Sequence, residues 1–136
     1  MIRNKAQILD FLVKKLKSGC PDVEEAAVVT DEGLVLVCTV GDGEHQQRLS
    51  ALTAAVMRQT ARSAEGLDLG ETDFVIVAGR NGSLFAKWID ERSFLAVTVK
   101  RNADWRAVRR LVGRAAADMR HIGEIRGPLA STTRLA

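Results

Sequence analysis

Residues 42–66 read DGEHQQRLSALTAAVMRQTARSAEG, and they predict one long amphipathic helix around which the rest of the chain is arranged. At about 100° per residue, one face of this helix collects Leu49, Leu52, Val56, Met57, Thr60 and Ala64. Asp42 is the expected N-cap, and Gly66 is the expected residue just after the helix because glycine tolerates positive φ. A half-apolar helix of this kind needs a sheet to pack against.

The opposite face of this helix carries alanines between arginines, where a solvated surface would carry long polar side chains. Small side chains permit close approach of a second helix, but alanine also favours helix by itself, and both explanations stay open. The candidate interface residues on this helix are Ala51, Ala54, Ala55, Arg58 and Arg62.

Composition points to one soluble globular domain. Hydrophobic residues make up 46% and charged residues 27% of a 136-residue chain, which argues against extensive disorder. Cys20 and Cys38 match neither a metal-ligand spacing nor the disulfide framework of a small secreted domain, so we expect a cytoplasmic protein. No run approaches the roughly 18 apolar residues of a membrane span, so we expect no membrane insertion.

The remaining elements follow from periodicity and turn residues. A helix is predicted over residues 4–18, and strands are predicted over residues 26–30, 34–39, 74–78, 83–90 and 94–99. Gly33 marks the first hairpin, and Arg80-Asn81-Gly82 predicts a second hairpin with a type I′ turn. Asp104 should cap a last helix that runs to about Ile122 and buries Trp105.

The predicted fold class is therefore α+β: a five-stranded antiparallel sheet with helices on both faces, in the order α-β-β-α-β-β-β-α. Residues 1–122 form a single domain in this interpretation, and residues 123–136 form a flexible C-terminal tail. The uninterrupted apolar run from Phe74 to Ala78 predicts a strand covered on both faces.

The sequence offers little chemistry. His45 and His121 have no partners at metal or catalytic-triad spacing, and no phosphate-binding loop is present, so we expect no catalytic residues, no metal, no cofactor and no enzyme activity. The arginines near the C-terminus leave nucleic-acid binding open, but no aromatic residue interleaves with them, and a solvated helix face is favoured. These arginines are Arg101, Arg106, Arg109, Arg110, Arg114 and Arg120.

The order of elements, the stretch VEEAAVVTDEGLVL at residues 23–36 and the alanine-rich LSALTAA at residues 49–55 resemble the Roadblock/dynein light chain family over about residues 6–122. The resemblance implies a Roadblock-like, profilin-like fold and a homodimer or heterodimer whose central helices pack together. It also implies that the strand at residues 72–79 pairs across the two-fold axis, which adds four residues to the candidate interface: Phe74, Val75, Ile76 and Val77.

The resemblance further implies a regulator or scaffold for a small Ras-like GTPase, with nucleotide and magnesium held by the GTPase. Arg58 and Arg62, four residues apart, are the candidate partner-binding residues because guanidinium groups pair well with carboxylates. Two alternatives stay open, a ligand-sensing module of the same fold and a nucleic-acid-binding protein. Binding groups converging inside the sheet would favour the first.

Overall fold

Three helices and five strands follow one another in the predicted order in the computed structural model, which describes the backbone of residues 4–135 and the side chains of residues 4–122. The helices are α1 (Lys5–Gly19), α2 (Gly43–Gly66) and α3 (Trp105–Leu135). The strands are β1 (Val23–Thr30), β2 (Val35–Cys38), β3 (Phe74–Ala78), β4 (Gly82–Trp88) and β5 (Ser93–Lys100).

The strands form one antiparallel sheet in the order β2-β1-β5-β4-β3. Helices α1 and α3 cover one face, where Val28, Leu95 and Val97 pack with Val13 and Val112. Helix α2 lies over β1 and β2 on the other face. The predicted fold class is confirmed, and β2 and β3 are the two edges of the sheet.

The helix starts are specified by local side chains. Asn4 and Gln7 form a capping box at the start of α1. The carboxylate of Asp42 accepts from the backbone N–H of Glu44 at 3.2 Å, and that of Asp104 accepts from the N–H of Arg106 at 3.1 Å. Both predicted caps are therefore present, because each carboxylate occupies an otherwise unsatisfied amide in a first helical turn.

The end of α2 differs from its prediction. Gly66 is the last helical residue, Leu67 is the C-cap, and the positive φ of 58° falls on Asp68. The N–H of Leu69 donates to the carbonyl of Ala64 at 2.8 Å, which closes the last turn beyond the glycine.

The second hairpin forms at the predicted place, but it is not a type I′ turn, because neither Asn81 nor Gly82 has a positive φ. Instead the N–H of Gly79 donates to the carbonyl of Gly82 at 2.8 Å. A Cβ on Gly79 would lie 2.8 Å from that same oxygen, so close approach of the two backbones requires a glycine there.

Helix α3 departs from its prediction at both ends. Trp105 is 42% exposed, although its ring meets the edge of Phe85 at a centroid distance of 5.5 Å. The backbone stays helical past Ile122 as far as Leu135. The side chains beyond residue 122 lie outside the described part, and the flexibility predicted for residues 123–136 stays a prediction.

Candidate protein-interaction face

Helix α2 is rotated relative to its predicted orientation on the sheet. Its buried residues are Ser50, Thr53, Ala54, Met57 and Ala64. Leu52, predicted to be in the core, is 61% exposed, and Ala54, predicted to be on the outer interface face, is 1% exposed and packs under the helix. Both predictions were wrong.

Hydroxyl groups explain the rotation. The Thr53 hydroxyl donates to the carbonyl of Leu49 at 2.5 Å, and the Ser50 hydroxyl donates to the carbonyl of Gln47 at 3.1 Å. Because the helix backbone satisfies each hydroxyl, these residues can face the sheet without an unpaired polar group. A pattern that counts Ser and Thr as polar therefore assigns the wrong face to the sheet.

The remaining interface candidates on α2 lie on two sides of the helix. Ala51 lies beside the β1–β2 turn, because a Cβ on Gly33 would come within 3.7 Å of its Cα atom. Arg58 reaches the same turn and donates from Nη1 to the carbonyl of Asp31 at 2.7 Å. Ala55 and Arg62 are exposed on the outer side of α2.

A stripe of three apolar residues and one glutamine runs along the outer side of α2 at helical spacing and is named here the α2 stripe: Leu52, Ala55, Val56 and Gln59. Leu52 and Ala55 are exposed, and Val56 is half-buried. The sequence analysis did not assign Leu52 to the outer face, because it turned the wrong side of the helix toward the sheet. An exposed leucine between small residues is the surface expected of a helix that packs on another helix.

Strand β3 is an open edge, with β4 on one side and, within residues 4–135, no strand on the other. Val75 is buried, but Val77 is 44% exposed and Ala78 is exposed, so the predicted cover on both faces is absent in the single chain. Ala54 and Met57 of α2 pack in one cluster with Val75, whereas Val77 and Ala78 near the end of β3 stay uncovered.

The backbone groups of β3 point alternately inward and outward. The bonds from Gly79 N to Gly82 O and from Trp88 N to Asp73 O are at the two ends of the strand, and the register between them is continuous. Since antiparallel pairing alternates residue by residue, Val75 and Val77 bond to β4, and the N–H groups of Phe74, Ile76 and Ala78 point to the open edge.

An open groove of about 1010 Å³ adjoins the C-terminal end of α2 and is lined by carboxylates and Trp88. Apart from Trp88 at the end of β4, the residues that line this groove come from helices and loops. The groove therefore does not provide the binding groups inside the sheet that would favour a ligand-sensing module. The acidic residues of this groove are Glu65, Asp68, Glu71, Asp73, Asp90 and Glu91.

The described side chains show no metal-binding grouping. His45 and His121 are exposed, and side chains 4–122 contain no group of three or more His, Cys, Asp or Glu residues that could hold a metal ion. Burial raises the pKa of the Cys38 thiol, which disfavours the reactive thiolate.

Among the described residues, no helix is both long enough and apolar enough to cross a bilayer.

Comparison with known proteins gives one family and several similar folds. The model of the Roadblock/LC7 domain matches residues 9–98. No curated protein matches the sequence. The structure is similar to a Roadblock/LC7 domain from Streptomyces avermitilis, with 21% identity and a TM-score of 0.77 over 82% of this chain and 93% of that one.

Two further solved structures share the fold. Myxococcus xanthus MglB is 17% identical with a TM-score of 0.81, over 91% of this chain and 93% of that one. Acanthamoeba castellanii profilin II is 12% identical with a TM-score of 0.58, over 85% of this chain and 98% of that one. At these identities the likeness concerns the fold.

Proposed function

Because the chain belongs to the Roadblock/LC7 domain family, we propose that two copies pair through α2 and β3 and together regulate or scaffold a small Ras-like GTPase. The observation that carries this proposal is the α2 stripe beside an open edge strand. In a single chain, Leu52 is 61% exposed and Val77 is 44% exposed, and exposing apolar side chains to water in this way is unfavourable.

Pairing would cover both surfaces at once. A two-fold axis beside β3 joins two five-stranded sheets edge to edge, and it brings the two α2 helices together on one side of the joined sheet. The outward N–H groups of Ile76 and Ala78 then find acceptors in the partner strand. A stable interface buries roughly 1,600 Å² in total, which a helix pair and a strand pair together can supply.

The GTPase would bind the surface formed by the paired α2 helices, with Arg58 and Arg62 as its cationic contacts. Arg58 is held at the β1–β2 turn by its bond to Asp31, so fewer side-chain rotamers are lost when it pairs. Arg62 is exposed and forms no salt bridge with the described side chains. Both can present planar donors to carboxylates of a GTPase switch region.

Titration calorimetry against a GTPase that co-purifies with the chain and carries a GTP analogue tests this function. The double variant Arg58→Ala and Arg62→Ala should bind about 1 to 3 kcal/mol more weakly, the scale of charge-assisted hydrogen bonds. Arg62→Ala alone should show part of this loss, because it leaves the Arg58–Asp31 bond intact.

Lys15→Ala is the matched control, because it removes one exposed cation from α1 on the opposite face of the sheet. Equal affinities of the parent and the double variant would place the GTPase on another face. Hydrolysis of GTP, measured with and without an excess of this chain, separates a regulator of the nucleotide cycle from a scaffold that sets location.

A further inference from the structure

A second groove opens on the α3 face of the sheet, between α3 and the start of β3. Its volume is about 390 Å³, and its lining holds five cationic side chains: Lys87, Arg106, Arg109, Arg110 and Arg114. We call it the basic groove. It adjoins the hydrophobic core beneath α1 and α3, through Phe74, and therefore lies opposite the α2 stripe.

The cations of the basic groove are largely unneutralised. Asp73 pairs with Lys87 at 2.6 Å. Among the described side chains, Arg106, Arg110 and Arg114 form no salt bridge, and all three are exposed. Like charges gathered on two turns of helix repel one another, so an anionic ligand would relieve that repulsion as well as form new contacts.

Part of the groove is already positioned for a carboxylate. The Arg109 guanidinium lies 5.6 Å from the centre of the Phe74 ring, and the Lys87 ammonium lies 5.5 Å from it. These cation–π contacts hold two long side chains in place before any ligand arrives. The Asp73–Lys87 pair shows that a carboxylate is accommodated here.

From this geometry we propose that the basic groove binds an extended acidic protein segment with carboxylates on alternate residues. Arg106, Arg110 and Arg114 are spaced four residues apart on α3, which is about 6 Å between successive side chains. Alternate residues of an extended peptide are about 6.7 Å apart and point to one side. Five peptide residues, with carboxylates at the first, third and fifth, therefore span the three arginines.

A nucleic acid fits the basic groove less well. An unstacked single strand relies on aromatic platforms, and Phe74, which lines this groove, already carries two cations over its ring.

The test is fluorescence anisotropy of a labelled eight-residue peptide of alternating glutamate and serine, titrated with the full chain. The parent should bind it, and the variant Arg110→Glu with Arg114→Glu should bind at least about tenfold more weakly, since two charge-assisted contacts become repulsive. Lys5→Glu with Lys15→Glu changes the net charge equally at exposed sites on α1 and should stay within about twofold of the parent.

Four further measurements complete the test. A peptide of the same composition with its glutamates clustered at one end should bind at least about threefold more weakly than the alternating one, because its carboxylates miss the arginine spacing. An oligonucleotide of equal charge and vesicles containing phosphatidylserine should also bind more weakly. Light scattering of the Arg110→Glu, Arg114→Glu variant should show the parent's mass.

The proposal is overturned if the parent does not bind the alternating peptide or if the two double variants bind it equally. Equal binding of the clustered peptide, or tighter binding of the oligonucleotide or the vesicles, also overturns it. If light scattering shows a lower mass for the arginine variant than for the parent, the basic groove binds a second copy of the chain instead of an acidic peptide. No GTPase enters this assay, so its failure leaves the proposed function untouched.

Discussion

Leu52 and Ala55 provide the test of self-association at the residue scale. Replacing Ala55 with Glu puts a charge in the middle of the α2 stripe, where a paired helix would leave it without a partner. Burying an unpaired carboxylate costs several kcal/mol, so we expect light scattering at micromolar concentration to show a dimer for the parent and a monomer for Ala55→Glu.

Gln47→Glu is the matched control for that experiment. It adds the same charge at an exposed position of the same helix, outside the α2 stripe, and should leave the dimer intact. A parent that is already monomeric, or an Ala55→Glu variant that keeps its dimeric mass, contradicts the proposed interface.

Glu25 is the residue whose ionisation should set the acid stability of the fold. Its partial burial raises the pKa, but hydrogen bonds from Lys17 and Thr39, each 2.7 Å long, outweigh that and hold the pKa below its ordinary value of 4.5. A lowered pKa stabilises the fold while the group is ionised. This stability is fully present above pH 4.5 and is lost as the pH falls through the lowered pKa.

We expect Glu25→Gln to lower the free energy of unfolding by about 1 kcal/mol at pH 7. Between about pH 5 and pH 2, the free energy of unfolding of this variant should fall less than that of the parent. Urea unfolding across this range measures both effects. Glu24→Gln, at an exposed position of the same strand, serves as the control. If the free energy of unfolding depends on pH in the same way in the two variants, the ionisation of Glu25 does not contribute to the acid sensitivity of the fold.

Residue-level placement on α2 was only partly predictable from sequence. Met57 and Ala64 were assigned to the sheet correctly, because apolar periodicity identifies such positions directly. Thr53 and Ser50 were not, because their hydroxyls bond to the backbone of their own helix, and hydropathy alone does not show where a hydroxyl finds its acceptor. That error misplaced Leu52 and Ala54.

At the scale of elements, the pairing of β3 can be tested without a substitution in the strand itself. If two copies pair through this strand, the outward N–H groups of Phe74, Ile76 and Ala78 are protected from hydrogen exchange in the dimer. They should exchange much faster in the Ala55→Glu variant, whereas Val75 and Val77 stay protected by β4 in both proteins. Nuclear magnetic resonance resolves these amides individually.

The inward amides serve as the internal control of that measurement. Rapid exchange at Ile76 and Ala78 in the parent dimer would move the interface away from β3. Loss of protection at Val75 and Val77 in the variant would instead report unfolding of the strand. Proline at Val75 would not separate these cases, because it would remove a bond within the sheet.

Most elements could be predicted because local chemistry specifies their starts and their periodicity. The caps at Asp42 and Asp104 were expected, and so was the first hairpin at Gly33, where φ is 93°. The hairpin at Gly79 was assigned the wrong turn, because its glycines permit close backbone approach instead of positive φ. Tertiary packing, which a local pattern does not contain, made that difference.

For the whole molecule, pairing should couple folding to concentration. A chain that covers Leu52 and the β3 edge only when paired gains stability by mass action. We expect the midpoint of thermal unfolding to rise by roughly 2 to 3 °C for each tenfold increase in concentration. Calorimetry or circular dichroism over two decades of concentration would measure this.

The Ala55→Glu variant should unfold at one temperature across the same range, and at a lower one than the parent. A concentration-independent midpoint for the parent would mean that the monomer is the stable unit and that the exposed α2 stripe contributes nothing to folding.

The opposite edge of the sheet explains why such an assembly would stop at two copies. Strand β2 has four residues, and its pairing with β1 is interrupted by a register shift between Val28 and Val29. Short, irregular edges are poor templates for another strand. With β3 used up at the two-fold axis and β2 at both outer ends, sheet growth terminates. Such a dimer would not polymerise into fibres, because the β3 edges of both copies are already paired.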